Sequence, residues 1–216
     1  MEGDIDIPRL PENVVDGLYR RGTEPLARCQ AQYRWIIPNR VSFAGFLVGG
    51  VGASICILTV PLWTAGILFA LGDILDYLDG DLARRQGTSS REGAIFDATL
   101  DRYTDFLVIG ALTYLTAVVL DRYPDLLIVH LSFMTSEAVL VLGLAALLGV
   151  MLTPYVRAKT EAEGKSSTAT IGARGVRNHI LVVGLLLSQP VWTLVAIAVV
   201  ANLSALHRLI HALRRE

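Results

Sequence analysis

Aspartates recur at every third position in Asp73, Asp76 and Asp79 and at every fourth in Asp97, Asp101 and Asp105, all within stretches that are otherwise largely apolar. On a helix these spacings place each set on one face. Charge at such depth is expensive and normally marks function. Carboxylates converging from two neighbouring helices cannot all stay ionised unaided, because each charge repels the next. A hard divalent cation removes the conflict: an all-oxygen set with no Cys or His beside it suits Mg2+, Mn2+ or Ca2+, and the first two most often serve phosphate substrates. Two helices, each giving two ligands, can hold one or two ions, the arrangement that clamps attacking and leaving oxygens in phosphoryl transfer. From spacing alone an ion pathway in a divalent-ion or proton-coupled transporter competes with this reading. A catalytically idle membrane scaffold is the third possibility, and the intact acidic set argues against it.

The elements that must position these acids are membrane helices. Of 216 residues, 53% are hydrophobic and only 18% charged, and the mean hydropathy is +0.50, outside the range of ordinary soluble domains. The formal net charge of −1 hides a segregation of cations from acids, and the near-neutral balance excludes a nucleic-acid binder. About six stretches have the order of 20 mostly apolar residues that a span requires. They run from about Val41 to Val60, Pro61 to Arg85, Ala94 to Leu120, Asp125 to Val156, Asn178 to Ser188, and Pro190 to Leu209. The predicted fold class is therefore all-α, with six transmembrane helices.

Lys and Arg set the orientation. Arg9, Arg20, Arg21, Arg28, Arg34 and Arg40 precede span one, Arg84, Arg85 and Arg91 follow span two, Arg157, Lys159, Lys165, Arg174 and Arg177 join spans four and five, and Arg208, Arg214 and Arg215 end the chain. The opposite side shows only Arg122. The positive-inside rule then places both termini, and the acidic ends of spans two and three, on the cytoplasmic side of the cell membrane. Residues 1–40 form a cytoplasmic segment and 41–216 the membrane domain. Within the former, Val14, Val15, Leu18, Leu26 and Trp35 alternate with arginines over 11–36, as expected for an amphipathic helix lying in the interface. The N-terminus lacks a basic region followed by an apolar core, so no cleavable signal peptide is expected. Gly45 and Gly49 form a small-xxx-small pair permitting close approach of another helix, within the chain or between copies. Cys29 and Cys56 read as packing residues, and His207 and His211 as interfacial ones. Glu137 stands alone in span four and is expected to find a partner or a cavity there.

Between the two acidic faces the chain reads Asp76-Tyr-Leu-Asp79-Gly80-Asp81-Leu-Ala83-Arg84, then eight residues, Gly93, three residues, Asp97, three residues, Asp101. This resembles the signature of the CDP-alcohol phosphotransferase family, D-x-x-D-G-x-x-A-R-x8-G-x3-D-x3-D, at every fixed position. Eight specified residues at roughly one chance in fifteen each make a random match on the order of 10⁻⁹ per start site. The six-span layout, the interfacial helix and Pro38-Asn39 before span one are also similar to the family. The resemblance implies an enzyme that displaces CMP from a CDP-linked lipid with the hydroxyl of an acceptor. It implies that Asp76, Asp79, Asp97 and Asp101 hold Mg2+ or Mn2+, that Asp101 is also the general base, and that Asn39, Asp76, Asp79, Gly80, Ala83, Arg84 and Gly93 shape the CDP site. A homodimer among membrane lipids is expected on the same ground.

After span four, Pro154-Tyr155-Val-Arg157-Ala158-Lys159-Thr160-Glu161 and Ile171-Gly-Ala173-Arg174-Gly-Val176-Arg177 resemble the branch that attaches inositol phosphate, whose pattern is S-Y-x-K/R-A-R/K-A-E followed by E-R-x-E-R. Arg157, Lys159, Arg174 and Arg177 fall on its basic positions and are the expected holders of the acceptor's phosphate, since charge-assisted bonds to phosphate are the strong ones. Pro154, Thr160, Ala173 and Val176 depart from it. The expected acceptor is a phosphorylated polyol, inositol 1-phosphate first and glycerol phosphate second. The donor is CDP-diacylglycerol or CDP-archaeol, which would leave the same contacts.

Overall fold

A computed structural model describes residues 37–122, 135–167 and 174–214, and the side chains of 120–122 are not described. The interfacial helix expected over 11–36 lies outside the described residues. Among those described there are six helices and no strand: α1 (Pro38–Thr59), α2 (Leu62–Gln86), α3 (Arg91–Arg122), α4 (Ser136–Ala162), α5 (Arg174–Leu186) and α6 (Pro190–Leu213). Four of these, α1, α3, α4 and α6, are long and apolar enough to cross a membrane. Helix α2 is long enough, but four acids and two arginines interrupt it between Asp73 and Arg85, and α5 has only 13 residues. The chain is an integral membrane protein, and its surface shows it: Leu140, Val141, Leu144 and Leu148 of α4 and Ile55 and Leu58 of α1 point outward. An exposed apolar band of this kind suits lipid rather than water.

Local chemistry sets the ends. Pro38 sits in the first turn of α1, where its missing N–H costs nothing. Helix α2 stops at Gly87, whose φ of 64° is left-handed. There the Thr88 N–H returns to the Ala83 carbonyl at 3.0 Å and the Gly87 N–H to that of Arg84, a Schellman stop. Ser90 then starts α3, accepting the Gly93 N–H at 3.0 Å. The link between α2 and α3 is therefore tight, and the acidic ends of both helices emerge at the same end of the bundle. Thr135 caps α4 by accepting the Ala138 N–H at 3.2 Å. Span four thus begins at Ser136 rather than near Asp125, and Glu137 is exposed in the first turn, where the helix dipole favours an acid. It is an N-terminal charge of α4, not an acid inside the span.

The apolar core lies toward the opposite end, with Ile57, Ile109, Leu112, Val139, Leu181, Leu185, Leu194 and Ile197 all essentially without solvent contact. Near the acidic end α1 and α2 pack more closely than ordinary side chains allow. Helix α1 widens to a π-helical turn over Phe46–Gly52, a feature frequent at functional sites. A Cβ on Gly49 would lie 2.8 Å from the Gly72 Cα, and one on Gly45 would lie 3.2 Å from the Gly72 carbonyl oxygen. The small-xxx-small pair is thus used within the chain, to seat α2.

Candidate active site

Helices α2 and α3 deliver their carboxylates to one place. Asp76, Asp97 and Asp101 each offer an oxygen, and the three lie within 4.8 Å of one another. All are partly buried. Asp79, one turn beyond Asp76, is buried, and its Oδ2 has no hydrogen-bond partner. An all-oxygen set with an unpartnered buried carboxylate oxygen beside it is the donor chemistry that Mg2+ or Mn2+ requires, so the residues fit such an ion.

The rest of the signature lines an adjoining cleft of about 410 Å³, walled by Asn39, Asp79, Gly80, Ala83, Arg84, Gly93 and Asp97 with Thr88, Ser89 and Ser90. Every residue expected at the CDP site lines this cleft except Asp76, which stands at its inner end among the carboxylates. Gly93 is tight against α1: a Cβ there would meet the Asn39 Oδ1 at 3.3 Å. Arg84 is exposed at the cleft edge, 3.5 Å from Asp81. Asp81 also pairs with Arg85 at 2.8 Å, so it belongs to the helix surface and not to the carboxylate group.

The four cations expected to hold the acceptor's phosphate take different partners. Arg174 in the first turn of α5 spans the carboxylate group, with Nη1 2.6 Å from Asp76 and Nη2 2.7 Å from Asp101. Its fork of donors fits two carboxylates at once and offsets their mutual repulsion. Arg157 pairs with Glu161 at 2.8 Å, and Lys159 with Glu163, both along the outside of α4. Arg177 is buried, and its Nη1 donates to the Val150 carbonyl at 3.3 Å.

Three further polar groups, two beside the carboxylates and one in a separate recess, were not singled out in the sequence. Arg102, directly after Asp101, pairs with Asp105 at 2.9 Å and donates to the Val150 carbonyl at 3.0 Å. Asn178 of α5 donates to the Oδ1 of Asp73, the deepest acid of α2, at 2.5 Å. Arg208 of α6 donates to the Thr153 carbonyl at 3.1 Å and shares a small recess with Arg157, Ser166, Ser167 and His211. Arg208 and Arg102 had the same signal as any cytoplasmic cation, and nothing in the linear order separates a topology charge from one folded inward. Asp73 and Asp105 do continue the acidic faces: Asp105 pairs with Arg102, and Asp73 accepts from Asn178 through Oδ1 while its buried Oδ2 has no hydrogen-bond partner. His207 is exposed, in keeping with an interfacial position.

Comparison with known proteins follows this geometry. A family model described as CDP-alcohol phosphatidyltransferase matches residues 35–206. A phosphatidylinositol phosphate synthase of Mycolicibacterium smegmatis is 30% identical over 204 residues, 91% of this chain and 85% of that protein. A bifunctional IPC transferase and DIPP synthase of Rubrobacter xylanophilus is 36% identical over 182 residues, 82% of this chain but 37% of that longer protein. Among solved structures, the Mycobacterium tuberculosis phosphatidylinositol phosphate synthase with CDP-DAG bound superposes with a TM-score of 0.72 at 23% identity, covering 91% of this chain and 98% of that one. The same enzyme with manganese and citrate gives 0.71 at 22% identity over 90% and 93%.

Proposed function

Since the chain belongs to the CDP-alcohol phosphatidyltransferase family, we propose that it transfers a phosphatidyl-type group from a CDP-linked lipid to a hydroxyl of a phosphorylated polyol and releases CMP. The observation that carries this is the meeting of Asp76, Asp97 and Asp101 oxygens at the inner end of a cleft walled by the rest of the signature. Inositol 1-phosphate is the favoured acceptor: the name of the Mycolicibacterium relative supports it, as does Arg174, which stands beside Asp101.

In this reading the cleft holds the cytidine diphosphate, with Arg84 at its edge and Gly80 and Gly93 leaving room for the nucleotide. Mg2+ or Mn2+, held by Asp76, Asp79, Asp97 and Asp101, supplies neutralisation of the diphosphate charge. Asp101 accepts the proton of the acceptor hydroxyl. The acceptor oxygen bonds to the lipid-side phosphorus, the bond from that phosphorus to the bridging oxygen breaks, and CMP leaves with the bridging oxygen. Arg174 orients the acceptor phosphate, and Arg157 with Arg208 offers a second cationic wall at the end of α4. Helices α2 and α5 complete six crossings, residues 1–40 lie at the cytoplasmic interface, and the site faces the cytoplasm; the cation distribution supports this. Two copies form a homodimer through outward apolar faces.

The reaction is tested by a CMP-release screen of inositol 1-phosphate, glycerol 3-phosphate, serine and free inositol against CDP-diacylglycerol, in Mg2+ or Mn2+. Turnover with inositol 1-phosphate and its loss in EDTA are expected. CMP release that needs no acceptor, or that survives chelation, would overturn the reading, and a preference for glycerol 3-phosphate would reassign the acceptor. Arg174→Ala should raise the acceptor KM by about 100-fold, the worth of a charge-assisted pair, with little change in the KM for the CDP-lipid. Equal increases in both would show a general electrostatic role instead.

A further inference from the structure

Helix α5 carries Arg174 into the active site, yet among the described residues no Cα of α5 lies within 8 Å of a Cα of α3 or α4. It packs on α2 and α6. Toward the other two helices it reaches with guanidinium groups: Arg174 to Asp101 of α3 and Arg177 to the Val150 carbonyl of α4. The same carbonyl receives Arg102 of α3. One backbone oxygen of α4 therefore ties down the residue that follows Asp101 and the residue one turn after Arg174.

That oxygen is available for a covalent reason. In a regular helix the Val150 carbonyl accepts the N–H of residue 154, and residue 154 is proline, inside α4. Proline has no N–H, and its ring pushes the carbonyl four residues back away from the helix axis. A carbonyl oxygen has two lone pairs, and here two donors, Arg102 and Arg177, match them. Arg177 is buried and its Nε has no hydrogen-bond partner, so the bond from its Nη1 to the Val150 carbonyl is one that this guanidinium can ill spare.

We propose that Pro154 is a positioning residue, which frees the Val150 carbonyl to anchor Arg102 and Arg177 and so sets the separation of Asp101 and Arg174 across the acceptor side of the site. Arg177, placed by its motif among the phosphate holders, acts as the tether of α5. The kinetic half of the inference rests on the transferase reading; the structural half does not. Pro154→Ala restores the N–H, setting three donors against two lone pairs, while alanine itself favours the helix.

The test uses the full chain in lipid nanodiscs. Pro154→Ala should raise the KM for inositol 1-phosphate about tenfold and leave that for CDP-diacylglycerol unchanged. Arg177→Met should do the same, and Pro154→Ala added to Arg177→Met should have no further effect. Hydrogen exchange of residues 174–178, measured without substrate, should be faster in both single variants. If wild type fails to use any phosphorylated acceptor, the transferase reading is what fails, and the exchange rates still decide the anchor. Unchanged exchange in both variants, additive effects of the two substitutions, or equal KM increases for both substrates would each overturn the proposal. Arg177→Met alone carries the decision if Pro154→Ala does not accumulate.

Discussion

Asp101→Asn should abolish acceptor-dependent CMP release, lowering kcat by at least about 1000-fold. The substitution keeps the shape and removes two capacities together. A general base contributes roughly 10²–10⁴ in rate, and Asp101 is also one of the three carboxylates whose oxygens lie within 4.8 Å of one another. The two losses are separable. Asp97→Asn removes an oxygen ligand from the same group but leaves the base, so its activity should recover in part as Mn2+ is raised. Asp101→Asn should not recover at any Mn2+ concentration, and should bind Mn2+ with weakened but measurable affinity by calorimetry. Turnover of Asp101→Asn within tenfold of wild type would remove Asp101 from the role of base. The Asn variant also loses the charge that Arg174 pairs with at 2.7 Å, so Arg174 should turn wholly to Asp76, an additional perturbation that reaches the metal ligands.

The largest effect on the fold is expected from Gly72→Leu. A Cβ at residue 72 would fall against the Gly49 backbone, 2.7 Å from its nitrogen, and 2.9 Å from the Gly45 carbonyl oxygen. These contacts are backbone and cannot rotate aside. Helices α1 and α2 must separate, and the seam between Gly49 and Gly72 opens one turn from Asp76. Overpacking of this kind costs typically about 1–3 kcal/mol where neighbours can yield, and more where they cannot. The variant should lose several degrees of thermal midpoint in detergent and most of its activity. Gly110→Ala, at a glycine with nothing within 4 Å of the added carbon, is the control and should change neither. Wild-type stability in Gly72→Leu would mean that the α1–α2 seam is not as closely packed as described.

The carboxylate chemistry was legible in the sequence because its determinants are local: Asp76 to Asp101 spans 26 residues, a single helix-turn-helix, and helical periodicity alone aligns the faces. Four of the expected spans were legible for the same reason, with the start of the fourth moved from Asp125 to Ser136 where Thr135 caps the helix. The cationic half was not. Arg157, Lys159, Arg174 and Arg177 look equivalent in the chain, yet one reaches the carboxylates, two pair along a helix surface and one is buried on a backbone oxygen. What separates them is the approach of α5 to α2 and the reach of long side chains, which no short-range pattern encodes. Pro154 stood in the sequence as a departure from a motif; only the three-dimensional placement of Arg102 and Arg177 gives it a physical role.

The tight stop at Gly87 and Ser90 has a consequence for how the protein is made. Everything needed to gather the carboxylates is complete once the ribosome has delivered α3, since the contacts are short in sequence and form fast. Arg174 comes 73 positions after Asp101 (174 − 101), so the nascent hairpin inserts with its acids assembled and their internal cation still unsynthesised. Arrival of α5 therefore brings one guanidinium onto both Asp76 and Asp101, while α6, which packs on α4 and α5, has still to follow.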